Sequence, residues 1–248
     1  MAEYKFPTEM VDLPSRGHFY FEGHPLSSGK VEIKYMTAKE EDILTSQNLI
    51  KQGTVIDKLL ESLIIDKSIK IDDMLVGDKN AIMVAARILG YGKKYEFEYD
   101  GVEQSVDLSK LEPIDLDFTK FTKGQNEFSF ELPNSKRTVT FKLLSGNDER
   151  VITNEIEARK KINKDVSSEL TTRLKQMILS VDGTTEKSYI NNFVDNEFLS
   201  RDSYALREYL VDITPDIDMS IKITNSNGKE VEVAVPITVR FFWPSTGV

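Results

Sequence analysis

Tyr95-Glu96-Phe97-Glu98-Tyr99-Asp100-Gly101-Val102 is the stretch on which the fold turns. Its first five residues alternate aromatic and charged, which sends successive side chains to opposite faces of a strand. Asp100-Gly101 then supplies a tight reversal, since both residues tolerate the positive φ that a two-residue hairpin needs. Val102 to Leu108 returns as the partner strand. The arrangement recurs where Phe128 to Leu132 and Thr138 to Leu143 flank Pro133-Asn134-Ser135. It recurs again where Met219 to Thr224 and Glu230 to Val235 flank Asn227-Gly228. Short hairpins grouped apart from helices, without regular strand–helix alternation, define an α+β class.

Outward from the first hairpin the periodicity changes. Val31-Glu32-Ile33-Lys34-Tyr35 alternates and reads as a strand. Thr37 is followed three residues later by Glu40, the spacing of a reciprocal helix cap, and the helix is expected to reach about Gln47. Gly53 separates it from a second helix, Val55 to Ile65, with Ile56, Leu59, Leu60, Leu63 and Ile64 at helical spacing. A third is expected from near Lys79 to the Gly90-Tyr91-Gly92 stop. Beyond the central hairpins, Val151, Ile152, Ile156, Ile162, Val166, Leu170, Leu174, Met177 and Ile178 form a stripe predicting one long helix from Asn147 to Ser180. A break is expected at Lys164 or Ser167-Ser168, with coiled-coil packing as the alternative. Val181-Asp182-Gly183-Thr184 is read as closing that helix, and Ser188 to Leu210 as the next one. A helical block followed by a hairpin thus occurs twice, at about 37–108 and 147–235.

The expected organisation is an arm and first strand over 1–36, a helical block with hairpins over 37–145, and long helices with a terminal hairpin and aromatic segment over 146–248. Pro7, Leu13-Pro14-Ser15-Arg16-Gly17 and Gly23-His24-Pro25 punctuate the arm. Between them lie Tyr4, Phe6, Phe19, Tyr20 and Phe21, anchors that a solvated tail would not need. At the other end Phe241-Phe242-Trp243 implies docking into a core or an interface.

Composition narrows the function classes. The chain holds 41 acidic and 32 basic side chains, a net charge of -9 that disfavours nucleic acid. Arg159-Lys160-Lys161 with Lys164 is diluted by Glu155, Glu157 and Asp165 and reads as a solvated helix face. There is no cysteine, which removes disulfides and cysteine-ligated zinc. No apolar signal segment is read in Met1 to Met10, and no transmembrane segment is expected: Ala81 to Leu89 is too short and carries Arg87.

Candidate chemistry is sparse. His18 and His24, with Glu22 and Asp12 near them in sequence, are the one conceivable metal set and motivate a metal-dependent hydrolase as an alternative. They match no ligand spacing, and surface or packing roles are the simpler reading; no cofactor is expected. Gly90-Tyr91-Gly92-Lys93-Lys94 lacks the ending of a phosphate loop and follows a helix. Acid pairs Asp115/Asp117, Asp195/Glu197 and Asp216/Asp218 arise readily in so acidic a chain. Arg201-Asp202, Tyr204, Arg207 and Glu208 share a helical context suited to interface ion pairs or to pairing in solvent. The expectation is a non-enzymatic protein that binds other proteins, with Phe6, Phe19, Tyr20, Phe21, Arg201, Arg207, Phe241, Phe242 and Trp243 as candidate interface residues.

Several pieces taken in order carry a resemblance. Asp12-Leu13-Pro14-Ser15-Arg16-Gly17 precedes Phe19-Tyr20; Val31 to Thr45 follows, then Arg201-Asp202 and Pro236 to Pro244. Together they resemble the T4-type bacteriophage baseplate proteins of the hub-assembly family, found in contractile-tailed phages. The resemblance implies a part in building the centre of a tail baseplate, other baseplate or hub proteins as partners, and no catalytic residues to carry over. It implies residence in the host cytoplasm during assembly and a possible place in the virion baseplate. A transient tail-assembly chaperone absent from the finished particle is the alternative. Some similar phage proteins place cysteine pairs in short hairpins, like small zinc ribbons; Phe97 to Val106 and Ile223 to Val233 have none, so turns and packing must hold them. Oligomeric state is left open.

Overall fold

The computed structural model describes residues 7–162 and 168–242. Within them the chain forms four small antiparallel sheets and a set of mostly short helices. The first sheet pairs β1 (Thr8–Asp12) with β2 (Lys30–Lys34). The arm is therefore not only a draped loop: Thr8 to Asp12 takes up the free edge of β2. Helices α1 (Ala38–Leu44), α2 (Gln47–Lys51), α3 (Val55–Leu63) and α4 (Val76–Tyr91) follow. The first expected helix is α1, which ends at Leu44 because the chain turns at Thr45-Ser46, and α2 is a further short helix beyond it. The second stops at Leu63, since Ile64 extends to bridge Ile33.

The decisive hairpin is β3 (Lys94–Tyr99) with β4 (Val102–Asp107), and both turn residues have positive φ, 53° at Asp100 and 73° at Gly101. β5 (Phe128–Glu131) and β6 (Thr138–Phe141) form the second hairpin. After α5 (Gly146–Ile162) and α6 (Glu169–Met177), β7 (Ile178–Val181) pairs with β6 and completes a three-stranded sheet. The single long helix expected to Ser180 is corrected here: it is two helices and a strand. Ile178, Ser180 and Val181 are buried by the sheet, a demand that outweighs the helical spacing of Met177 and Ile178. Ser168 holds the N-cap position of α6, whereas Lys164 and Ser167 lie outside the described residues. Asp182-Gly183 likewise closes no helix. With φ of 50° and 80°, and the Val181 and Thr184 backbones exchanging bonds at 3.0 and 2.9 Å, it is a tight turn after β7.

The stretch expected as one helix from Ser188 is α7 (Lys187–Asn192), a wide π turn (Phe193–Glu197) and α8 (Ser200–Ile213). β8 (Ser220–Thr224) and β9 (Glu230–Ala234) form the last hairpin, followed by a 3-10 turn, Val239–Phe242. One buried apolar cluster draws on all three sequence segments, from Val11 through Ile82 and Phe141 to Phe242. Among the described residues no helix is long and apolar enough to cross a membrane.

Candidate functional site

Four carboxylates with almost no solvent exposure hold the segments of the fold together: Glu40, Asp78, Asp148 and Asp202. A buried carboxylate is tolerated only when donors surround it, and each of these draws them from elsewhere in the chain.

Asp78, in the first turn of α4, receives the arm. Its Oδ1 accepts the Ser15 amide at 2.9 Å, and its Oδ2 accepts the Ser15 and Tyr20 hydroxyls, each at 2.6 Å. Burial pushes the Asp78 carboxyl above the usual range, and the bonds from Ser15 and Tyr20 do not restore it. Burial, reinforced by the Asp78 charge, also raises the Tyr20 phenol. The Pro14-Ser15-Arg16-Gly17 stretch that carries the resemblance is thus a clasp. Arg16 and Gly17 take positive φ, and a side chain on Gly17 would collide with the backbone oxygen of Ser27.

Glu40 accepts from Lys34 at 2.7 Å, from Ser62 at 2.6 Å and from the Thr37 amide and hydroxyl at 2.9 and 2.6 Å. Burial alone would raise its pKa, but these donors outweigh burial and hold it at about 2. Asp148 binds Lys142 at 2.7 Å, Gln176 at 2.8 Å and the Ser145 amide at 3.0 Å. Asp202 accepts the Asn134 and Ser135 amides, at 2.7 and 2.9 Å, fixing the β5–β6 loop on α8. In both, burial opposes ionisation and the donors prevail, so the carboxyl lies below its ordinary value.

The candidate interface residues separate into two groups, with Phe6 and Trp243 outside the described residues. Phe19 is buried among Phe118, Phe121 and Phe128, ring centroids 5.4 to 5.9 Å apart. Tyr20 stacks on His24 at 5.0 Å beneath its bond to Asp78. Phe241 and Phe242 are fully buried, Phe241 edge-on to Tyr95 at 4.9 Å. These four rings pack against the chain itself. Phe21, 62% exposed, and Arg201 and Arg207 lie on the surface.

The histidines serve locally. His18 Nε2 lies 3.1 Å from the Phe121 carbonyl, and His24 Nδ1 accepts the Leu26 amide at 3.1 Å. Among the described residues no three His, Cys, Asp or Glu side chains group to hold a metal ion. The acid pairs also have local partners: Asp117 accepts the Thr119 amide, Asp195 binds Lys175, Glu197 binds Arg137 and Asp216 binds Asn80.

The outer face of α8 presents what the core does not use. Tyr204 is 56% and Val211 70% exposed, with Leu199 before the helix at 50%. Positions 204, 207 and 211 recur at helical spacing and share one side, and the Arg207 guanidinium lies 5.7 Å from the Tyr204 ring centroid. Sequence reasoning singled out Arg201, Tyr204 and Arg207 but passed over Val211.

Buried polar groups spent on joining segments, with large apolar side chains left exposed at several places, Tyr204 and Val211 on α8 among them, suit a structural protein that presents surfaces to others. The chain belongs to the family described as T4 bacteriophage base plate protein, whose model matches residues 8–243. No curated protein and no solved structure matches it. Its partners are accordingly other phage baseplate or hub proteins, reached through protein interfaces.

Proposed function

We propose that the chain is a permanent subunit of the baseplate hub and that the outer face of α8 is its principal docking surface. The carrying observation is that face itself. Tyr204 and Val211 expose large apolar area on a helix whose other side is fixed by Leu206 and by Asp202 holding the β5–β6 loop. Arg207 beside Tyr204 adds a donor-rich cation to the kind of aromatic–arginine pair that dominates interface energies. Arg201 and Phe21 are further surface candidates. Phe19, Tyr20, Phe241 and Phe242 support the reading indirectly, by stiffening the body that displays the face.

Assembly in the host cytoplasm followed by incorporation into the virion is part of the proposal. Quantitative mass spectrometry of purified tails tests it. Retention at fixed stoichiometry with hub proteins is expected. A chain present during assembly but missing from finished tails would replace this reading with that of a transient chaperone.

A further inference from the structure

Two hairpins lie edge to edge without joining. β4 belongs to a two-stranded sheet and so does β8, and between them runs a cleft of ≈ 680 Å³ lined by Gln104 to Asp107 on one side and Ser220 to Thr224 on the other. The backbone shows which groups face it. Leu108 N–H donates to Lys93 O at 2.8 Å in the β3–β4 ladder, and bonded pairs in such a ladder alternate. Val102, Gln104 and Val106 therefore point toward β3, while Ser105 and Asp107 turn their N–H and C=O groups to the cleft. On the other side Val235 N–H donates to Met219 O at 2.8 Å and Asn225 N–H to Lys229 O at 2.9 Å, which by the same alternation turns Ser220, Lys222 and Thr224 outward.

Both ends of the cleft are stitched. At one end a segment of the chain pairs antiparallel with the residues leading into β8: Pro113 bridges Ile217, Asp218 N–H donates to Glu112 O at 2.8 Å, and Ile114 N–H to Asp216 O at 2.8 Å. At the other end the Gln104 side chain reaches the Thr224 carbonyl at 3.0 Å, and Ser226 bonds Asp100. No backbone–backbone bond joins β4 to β8 among the described residues, so the two edges are not paired strands of one sheet. In the middle, Ser220 N–H is taken by Asp218 at 2.9 Å. The outward groups of Ser105 and Asp107, with Lys222 N–H and C=O, have no hydrogen-bond partner among the described residues.

We infer that this cleft accepts an extended segment of a partner protein, which adds as a strand between β4 and β8 and fuses the two hairpins into one sheet. Unpaired edges recognise backbone, and pockets for alternate side chains select sequence. Val106, Ile221 and Ile223 favour apolar residues at every second position of the incoming strand. Asp107, Glu112, Asp218 and Glu230 outnumber Lys110 and Lys222 in the lining; even with Asp107 engaged by Lys93 at 3.1 Å, the excess favours Lys or Arg at the intervening positions. The identity of the partner as a baseplate protein rests on the function proposed above; the strand-accepting cleft does not.

The test is amide hydrogen exchange on the full chain with a blocked seven-residue peptide in which valine alternates with lysine and threonine. Saturating peptide is expected to slow exchange at Ser105, Asp107 and Lys222 at least tenfold. The same peptide N-methylated at alternate residues, and the variants Ser105→Pro and Lys222→Pro at edge positions, are expected to abolish that protection. Unchanged exchange, or equal protection by the N-methylated peptide, overturns the inference. A second arm uses purified hub proteins: binding that leaves these three amides unprotected overturns strand addition in assembly while sparing the baseplate reading. Protection by peptide without any hub protein binding keeps the cleft and removes that reading.

Discussion

The Tyr20 hydroxyl donates to Asp78 at 2.6 Å across 58 positions of sequence and accepts the Leu75 amide at 2.9 Å. One phenol therefore serves both the N-terminal clasp and the start of α4, and it does so in the interior, where unmet polar groups are costly.

Tyr20→Phe leaves the Leu75 amide without its acceptor and should cost about 1–3 kcal/mol. Asp78→Ala strands the Ser15 amide, the Ser15 hydroxyl and the Tyr20 hydroxyl together, each unmet group costing about 1–3 kcal/mol, so its loss should exceed that of Tyr20→Phe. Asp78→Asn, which keeps an acceptor, should fall between wild type and Asp78→Ala. Urea unfolding of the three variants gives the ranking. A shift within error for Asp78→Ala would contradict the clasp.

The buried carboxylates titrate in opposite senses. Glu40 is held at about 2, below its ordinary 4.5, so its contribution is fully present above 4.5 and lost as pH falls through 2. Asp148 and Asp202, also lowered, act in the same direction. Asp78 is raised; its folded form holds the proton more tightly, so its contribution weakens as pH rises through the folded value. Stability followed from pH 7 to pH 2 should decline on the acid side, and Glu40→Gln should flatten that decline. An unchanged slope in Glu40→Gln would show that its donors do not favour the ionised form.

Gly17 and Gly101 both have φ of 73°, but only Gly17 faces backbone, with nothing near Gly101. Gly101→Ala should carry only the left-handed penalty, about 1–2 kcal/mol. Gly17→Ala adds a collision with Ser27 and should exceed it by at least about 1 kcal/mol. Thermal unfolding of the pair decides the matter, and equal losses would mean that the Ser27 turn yields freely.

Much of this was legible in the residues. Asp100-Gly101 and the alternation on both sides of it specified β3 and β4, and Thr37 with Glu40 specified the α1 cap, because both signals are local. Ile178 to Ser180 reads as helix because helical spacing continues past Met177 into the place where β6 claims a third strand, a requirement set 37 or more positions away by Thr140 and Phe141. The role of Asp78 was invisible for the same reason, since its donors Ser15 and Tyr20 lie 63 and 58 positions distant. Asp148 did carry an unread signal: Ser145 and Asp148 have cap spacing and bond reciprocally. The aromatic ends marked large apolar side chains seeking cover, but residue type alone does not say whether the cover is the chain itself or another one.

The central claim is that α8 displays a docking surface independent of the core. Its most direct test is the affinity of a Tyr204→Ala, Arg207→Glu, Val211→Asp triple variant for purified hub proteins, measured by calorimetry beside its unfolding curve. Stability is expected to stay within about 1.5 kcal/mol of wild type, as three exposed substitutions allow, while affinity falls at least about tenfold. A folded variant that binds hub proteins as tightly as the wild type would contradict the account.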